Sequence, residues 1–163
     1  MAYMETEEAI EMFQPHIWAV QVIATADAHP DSDPVNKIVF RAIDTIFQIL
    51  LQSEDELKNE IREAGGVQAM VGLLRKFRSR EKALTLVMDS LRMLSMHHHQ
   101  TKQIILQADG PKLAVEILQT ADNVILLSCT AGLLMVLSAY QPSKMAVLQA
   151  GGFDALSKCL PPH

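Results

Sequence analysis

The sequence predicts an all-α solenoid, a single domain over residues 1–163 built by stacking repeated groups of short helices. Two observations predict it. Three segments echo one another: Lys58-Asn-Glu-Ile-Arg-Glu-Ala-Gly-Gly66, Lys102-Gln-Ile-Ile-Leu-Gln-Ala-Asp-Gly110 and Lys144-Met-Ala-Val-Leu-Gln-Ala-Gly-Gly152. Their final glycines lie 44 and 42 residues apart, a period too long for a hairpin or a heptad and suited to stacked pairs or triplets of helices. Three apolar runs, Ile46-Phe-Gln-Ile-Leu-Leu51, Leu91-Arg-Met-Leu-Ser-Met96 and Leu134-Met-Val-Leu-Ser-Ala139, recur in the same way, with starts 45 and 43 residues apart. A stack of this kind buries its core between neighbouring units and leaves one long side surface free, which suits it to holding other proteins.

Composition narrows the function. With 49% hydrophobic and 20% charged residues the chain carries enough apolar surface to fold. Fourteen Lys and Arg stand against 19 Asp and Glu, a formal net charge of −5, which argues against nucleic acid as the main partner because phosphate neutralisation needs a surplus of cations on one face. The start Met-Ala-Tyr-Met-Glu-Thr-Glu-Glu has neither the positive flank nor the apolar run of a secretion signal, and no apolar stretch reaches membrane-spanning length. The expectation is a soluble, cytoplasmic protein without membrane insertion. Cys129 and Cys159, the two cysteines, are expected as buried thiols.

In the first unit, residues 7–13 and 17–26 are expected as helices, with Pro15-His16 at the corner. Residues 27–34, Asp-Ala-His-Pro-Asp-Ser-Asp-Pro, read as a turn-rich break before the helix that ends near Leu51. Phe13 and Trp18 are expected in the core. In the second unit, Lys58, Ile61 and Ala64 share one side of a short helix. Gly65 and Gly66 then end it, since glycine tolerates the left-handed conformation just past a helix. A second helix covers residues 67–74, residues 75–82 (Arg-Lys-Phe-Arg-Ser-Arg-Glu-Lys) read as a solvated basic loop, and a third helix ends near Met96. The third unit repeats this, with Asp109 in place of the first glycine, Pro111 in the first turn of a helix over 111–118, and a third helix ending near Ala139. The fourth has a glycine corner at Gly151 and Gly152 and a helix over 153–160, and Pro161-Pro162-His163 follows with no third helix. Three helices per unit, the last the longest, is the plan of the armadillo repeat. The expected fold is thus a right-handed superhelical solenoid of about three and a half armadillo repeats, with units near 5–52, 54–97, 100–139 and 141–163. The open apolar face of the last unit is expected to need cover, in a longer product, from a partner, or by homo-oligomerisation.

The chain resembles the armadillo domain of the β-catenin, armadillo and plakoglobin family. The resemblance is carried by Phe40-Arg-Ala-Ile-Asp-Thr-Ile-Phe-Gln-Ile-Leu-Leu51, Ile61-Arg-Glu-Ala-Gly-Gly-Val-Gln-Ala-Met-Val-Gly-Leu-Leu74, Lys102-Gln-Ile-Ile-Leu-Gln-Ala-Asp-Gly-Pro111 and Ala146-Val-Leu-Gln-Ala-Gly-Gly-Phe-Asp-Ala-Leu156, in the family's order and nearly its spacing. It covers almost the whole chain and looks like the third to sixth repeats of a twelve-repeat domain. It implies a non-catalytic scaffold of cadherin-based adhesion and Wnt signalling, in cytoplasmic, junctional and nuclear pools. In that family the third helices line a basic groove that takes acidic segments of cadherin tails, T-cell-factor transcription factors, the adenomatous polyposis coli protein and axin. By the same resemblance the groove here comprises Phe40, Asp44, Phe47, Gln48, Lys82, Leu86, Asp89, Arg92, Met93, Lys102, Ser128, Gly132 and Met135. Lys102 matches a basic contact of the family. Ile125, Ser128, Gly132 and Met135, however, stand where the family's fifth repeat carries Lys, Trp, Arg and Lys. The groove is therefore expected to be closer to neutral and more apolar, at about 2 kcal/mol lost per charge-assisted contact with an acidic ligand. A self-associating fragment, or a relative that has lost the acidic-ligand groove, is the alternative expectation.

No catalytic, cofactor or metal site is expected. His97-His98-His99 lacks a Cys or carboxylate partner at ligand spacing and reads as a solvated loop. Ser138, Cys129 and Cys159 have no base and orienting group in the pattern, and no phosphate-cradling glycine loop is present. Among the nine methionines, Met93 and Met135 fall in the groove register, where soft side chains suit an adaptable binding surface.

Overall fold

The computed structural model describes residues 2–29 and 31–159. Eleven α-helices occupy them: α1 (Ala2–Phe13), α2 (Pro15–Ala24), α3 (Asp33–Gln52), α4 (Asp55–Glu63), α5 (Gly66–Lys76), α6 (Glu81–Ser95), α7 (His99–Gln107), α8 (Gly110–Thr120), α9 (Val124–Leu137), α10 (Gln141–Gln149) and α11 (Gly152–Ser157), with one short 3-10 turn at Ala26–Ala28 and no strand among the described residues. The third helices form one ladder, α3 on α6 and α6 on α9, and the second helices another, α2–α5–α8–α11. Each first helix packs on the second helix of the unit before it: α4 on α2, α7 on α5 and α10 on α8. This is an armadillo-type solenoid. Its continuous core runs from Ala19 and Ile23 through Ile46, Leu74, Met88 and Leu91 to Ile105, Leu134 and Val147.

The paired glycines do two different jobs. Gly65 and Gly151 hold φ of 88° and 82°, and Asp109 stands in for them at 65°, the left-handed corner that lets a second helix turn back on a first. The glycine that follows is set by space instead. A Cβ on Gly66, Gly110 or Gly152 would meet the carbonyl oxygen of Ile61, Ile105 or Val147 at 2.8 Å.

Several expectations are corrected. α1 begins at Ala2 rather than residue 7, since nothing in the opening residues interrupts a helix. The break before α3 ends at Ser32, and Pro34 sits inside the first turn of α3, where a missing N–H leaves no bond unmade. Phe13 is 78% exposed, because it closes α1 at the rim where no further helix covers it. Trp18 is half-buried against the core, with Arg41 stacked 4.8 Å from its ring centroid. Cys159 is exposed and Cys129 half-buried, both free thiols.

Residues 75–82 are not a solvated loop. Arg75 and Lys76 complete α5, Phe77 is 2% exposed, and α6 starts at Glu81. Phe77 stacks on Phe40 with centroids 5.5 Å apart and anchors the link to the core. Around it Lys76 Nζ donates to the Ala26 carbonyl and Arg78 pairs with Glu116 at 3.2 Å. The last second helix, expected over 153–160, ends at Ser157, with Lys158 and Cys159 in a turn; Leu160, Pro161, Pro162 and His163 lie outside the described residues.

Candidate protein-binding groove

The ladder α3–α6–α9 brings twelve of the thirteen expected groove residues onto one set of helices, and six of them line three separate concavities rather than one trough. Phe40 of α3 and Lys82 of α6 line the first, about 400 Å³, together with residues 79–81 and Ala83. Phe40 is half-buried, Lys82 exposed, and the Arg80 guanidinium lies 5.8 Å from the Phe40 ring centroid. An aromatic floor with two cations at its rim accepts an acidic or aromatic side chain. Along α3, Asp44 and Gln48 are exposed and Phe47 is half-buried.

On α6, Leu86 is half-buried and Asp89 is paired with Arg92, with Nη2 at 2.7 Å and Nε at 2.8 Å from the same carboxylate oxygen. Gly132 of α9 makes room for this pair: a Cβ there would stand 3.2 Å from Arg92 Cδ. Arg92 is thus partly neutralised by Asp89 and held down across the neighbouring helix. Cys129, beside the pair, has its thiol pKa raised by burial and by the Asp89 charge, with Arg92 opposing, so it stays protonated.

Met93 opens into a second concavity of about 550 Å³ with Met96, Lys58, Arg62, His97 and His98. Arg62 is its structural centre, donating from Nε to Thr101 Oγ1 at 3.0 Å, from Nη1 to Asn59 at 2.7 Å and from Nη2 to the Leu94 carbonyl at 2.7 Å. Desolvation pulls its pKa below the ordinary arginine value, with Asp55 pulling the other way. His98 caps α7, its Nδ1 accepting from the Thr101 N–H at 3.2 Å. Burial lowers its pKa, and the charges of Arg62 and His99 lower it further. His98 is therefore a helix cap, while His97 and His99 are exposed, and no group of three potential metal ligands occurs among the described residues.

The third concavity, about 1010 Å³, lies between α9 and α11 and takes in Ser128, Gly132 and Met135. Met135 is 70% exposed and Ser128 exposed. Lys102 is the residue the fold does not bring to this surface. It lies on α7, a first helix, and is only 4% exposed, so its stem is packing material.

Sequence reasoning missed Arg80, Phe77 and Arg62. A signal existed for Arg62: in the other two copies of the repeated segment its position holds Leu106 and Leu148, and an arginine among leucines marks a polar job.

The fold, with its ladder of stacked third helices, defines an armadillo-type helical solenoid. The chain is 38% identical over 129 residues to junction plakoglobin of Homo sapiens and of Xenopus laevis, a match that covers 79% of the chain and 17% of each relative. Against catenin beta of Urechis caupo it is 38% identical over 120 residues, 74% of the chain and 14% of the relative. No protein-family model matches. The chain is related to the β-catenin/plakoglobin family as a partial armadillo-type domain, and it spans about a sixth of the length of the curated relatives it matches.

Proposed function

We propose that the chain is a non-catalytic protein-binding scaffold of cell adhesion and Wnt signalling, and that a partner's peptide segment lies along α3, α6 and α9. Its relation to plakoglobin and β-catenin carries the reading, and the accessible side chains of the third-helix ladder give it a place to act. This reading divides the solenoid into units near 5–52, 54–97, 100–139 and 141–163. It places the protein in the cytoplasm, at junctions and in the nucleus with its partners. No helix among the described residues is long and apolar enough to cross a membrane, so membrane contact would come through a bound protein such as a cadherin tail.

The chemistry of the ladder favours ligands that anchor through apolar and aromatic side chains. Arg92 is already paired with Asp89, and α9 offers Ile125, Ser128 and Met135 rather than cations. Axin and the adenomatous polyposis coli protein remain the family's partners to test first. A cadherin tail or a T-cell factor, whose acidic segments the basic groove of the family takes, is expected to bind this groove weakly.

The test is a fluorescence-anisotropy titration of labelled axin, adenomatous polyposis coli protein and cadherin-tail peptides against the parent and a Phe47→Ala, Lys82→Glu, Met135→Glu variant. Phe47 is only half-buried and the other two are exposed, so circular dichroism should report the same helix content. The variant should bind at least about tenfold more weakly, about 1.4 kcal/mol. Equal affinity would move the site off the ladder, and no binding by the parent would remove the scaffold reading.

A further inference from the structure

We propose that the Asp89–Arg92 pair of α6 reads a carboxamide, the side chain of an asparagine or glutamine in the peptide segment laid along the ladder. The inference rests on the proposed function and names one contact within it. Both Arg92 nitrogens that reach the carboxylate, Nη2 at 2.7 Å and Nε at 2.8 Å, meet the same oxygen, Asp89 Oδ1. The pairing is therefore incomplete on both sides. Among the described residues Asp89 Oδ2 accepts from no protein donor and Arg92 Nη1 meets no protein acceptor, so one ion pair holds both an unused acceptor and unused donors.

The setting makes those groups both reachable and selective. The Asp89 and Arg92 side chains keep 23% and 30% of their surface open, so water satisfies them in the free protein. A peptide that covers them strips that water and must supply the missing partners itself. The two charges of the pair cancel. A ligand carboxylate would gain Arg92 but be repelled by Asp89 Oδ2, and an ammonium group would meet the reverse. A carboxamide is neutral and brings an NH2 donor for Oδ2 together with a carbonyl for the guanidinium. The guanidinium is also held ready: Gly132 of α9 leaves room for the Arg92 stem, which a Cβ there would approach to 3.2 Å at Cδ. At the same register α3 carries Asp44 and Phe47 and α9 carries Gly132 and Met135. Of the three helices α6 alone sets an acid against a base there, and α3 and α9 flank it on both sides. Asp44, Gln48 and Met135 stand exposed on those flanking helices while the pair is half-buried between them. A side chain can descend to it from a backbone resting on that rim.

The test is a substitution scan of the labelled axin and adenomatous polyposis coli protein peptides, each position in turn carrying Gln, Glu, Lys or Leu. Fluorescence anisotropy reads binding to the parent, Asp89→Asn and Arg92→Gln, and circular dichroism verifies that the variants fold. The parent should show one position at which Gln binds at least about fivefold more tightly than Glu, Lys or Leu, the worth of one or two hydrogen bonds. At that position Asp89→Asn, which frees Arg92, should prefer Glu, and Arg92→Gln, which leaves the Asp89 charge alone, should prefer Lys. A pair that only packed the helices would weaken every peptide alike and reverse no preference. A parent that binds with no Gln-preferring position, or a preference that either variant leaves in place, overturns the proposal and leaves the scaffold reading standing. A parent that binds none of the peptides removes both.

Discussion

His98 shows how a residue can look like one thing in a sequence and do another in a fold. In the string His97-His98-His99 it suggests a metal ligand, but its Nδ1 accepts from Thr101 and holds the start of α7. That bond needs the unprotonated ring. Burial and the Arg62 and His99 charges keep the folded-state pKa below the ordinary histidine value of 6.5, so in the window between the two the unfolded chain binds more protons, and stability falls as pH drops below about 6.5. His98→Asn keeps a capping side chain and removes the titration. Urea midpoints at pH 7.5 and 5.5 should therefore differ less in the variant than in the parent, and an equal difference would assign the acid sensitivity elsewhere. The cysteines give a second expectation at this scale. Cys159 is exposed and Cys129 is half-buried with a raised pKa, so a thiol reagent should label Cys159 first and Cys129 slowly, as peptide mapping would read; the reverse order would contradict the packing around Asp89 and Arg92. What was legible here was backbone chemistry: Gly65, Gly151 and Asp109 have the left-handed geometry their place in the repeat demands. Arg62 was legible only as an arginine where the other copies carry leucine, without its partners Thr101 and Leu94, which lie on other helices; Arg80 was not legible, because the Phe40 ring it faces belongs to another unit.

At the scale of elements the repeat pattern located second helices and the ends of third helices to within a residue or two, as α5, α6 and α8 show. It failed where tertiary contact decides. Residues 75–82 read as polar, yet one buried aromatic, Phe77, fixes the whole link. The corner glycines make the element-level argument testable against a control within the same helix. Gly66 opens α5 with the Ile61 carbonyl in the way of a Cβ, whereas Gly72, in the interior of the same helix, has open space there. Gly66→Ala should lower the unfolding free energy by about 1–3 kcal/mol, and Gly72→Ala should raise it by up to about 1 kcal/mol through helix propensity. Chemical denaturation of both variants measures the difference, and equal effects would mean the corner relaxes more easily than its geometry indicates.

For the whole molecule, every substantial helix contact joins elements of the same or adjoining units, so stability should be graded along the solenoid rather than uniform. Amide exchange should be slowest in α5 and α6, which are flanked on both sides, and fastest in α1, whose substantial contact is with α2, and in α11. Uniform protection would argue for all-or-none opening. The solenoid itself was legible because periodicity survives substitution. The groove was legible only as an address, since which residues reach solvent there depends on the depth of each helix, as the burial of Lys102 demonstrates. One feature of that surface gives it a sense of direction. Its α3 end carries an aromatic floor edged by Arg80 and Lys82, and its α9 end carries no charge at all. A peptide laid along it therefore meets two unlike termini. If the proposed groove holds a peptide, reversing its chain polarity would put acidic side chains over Ile125 and Met135 and apolar ones among the cations, and such a surface would read the order of a ligand's residues as well as their identity.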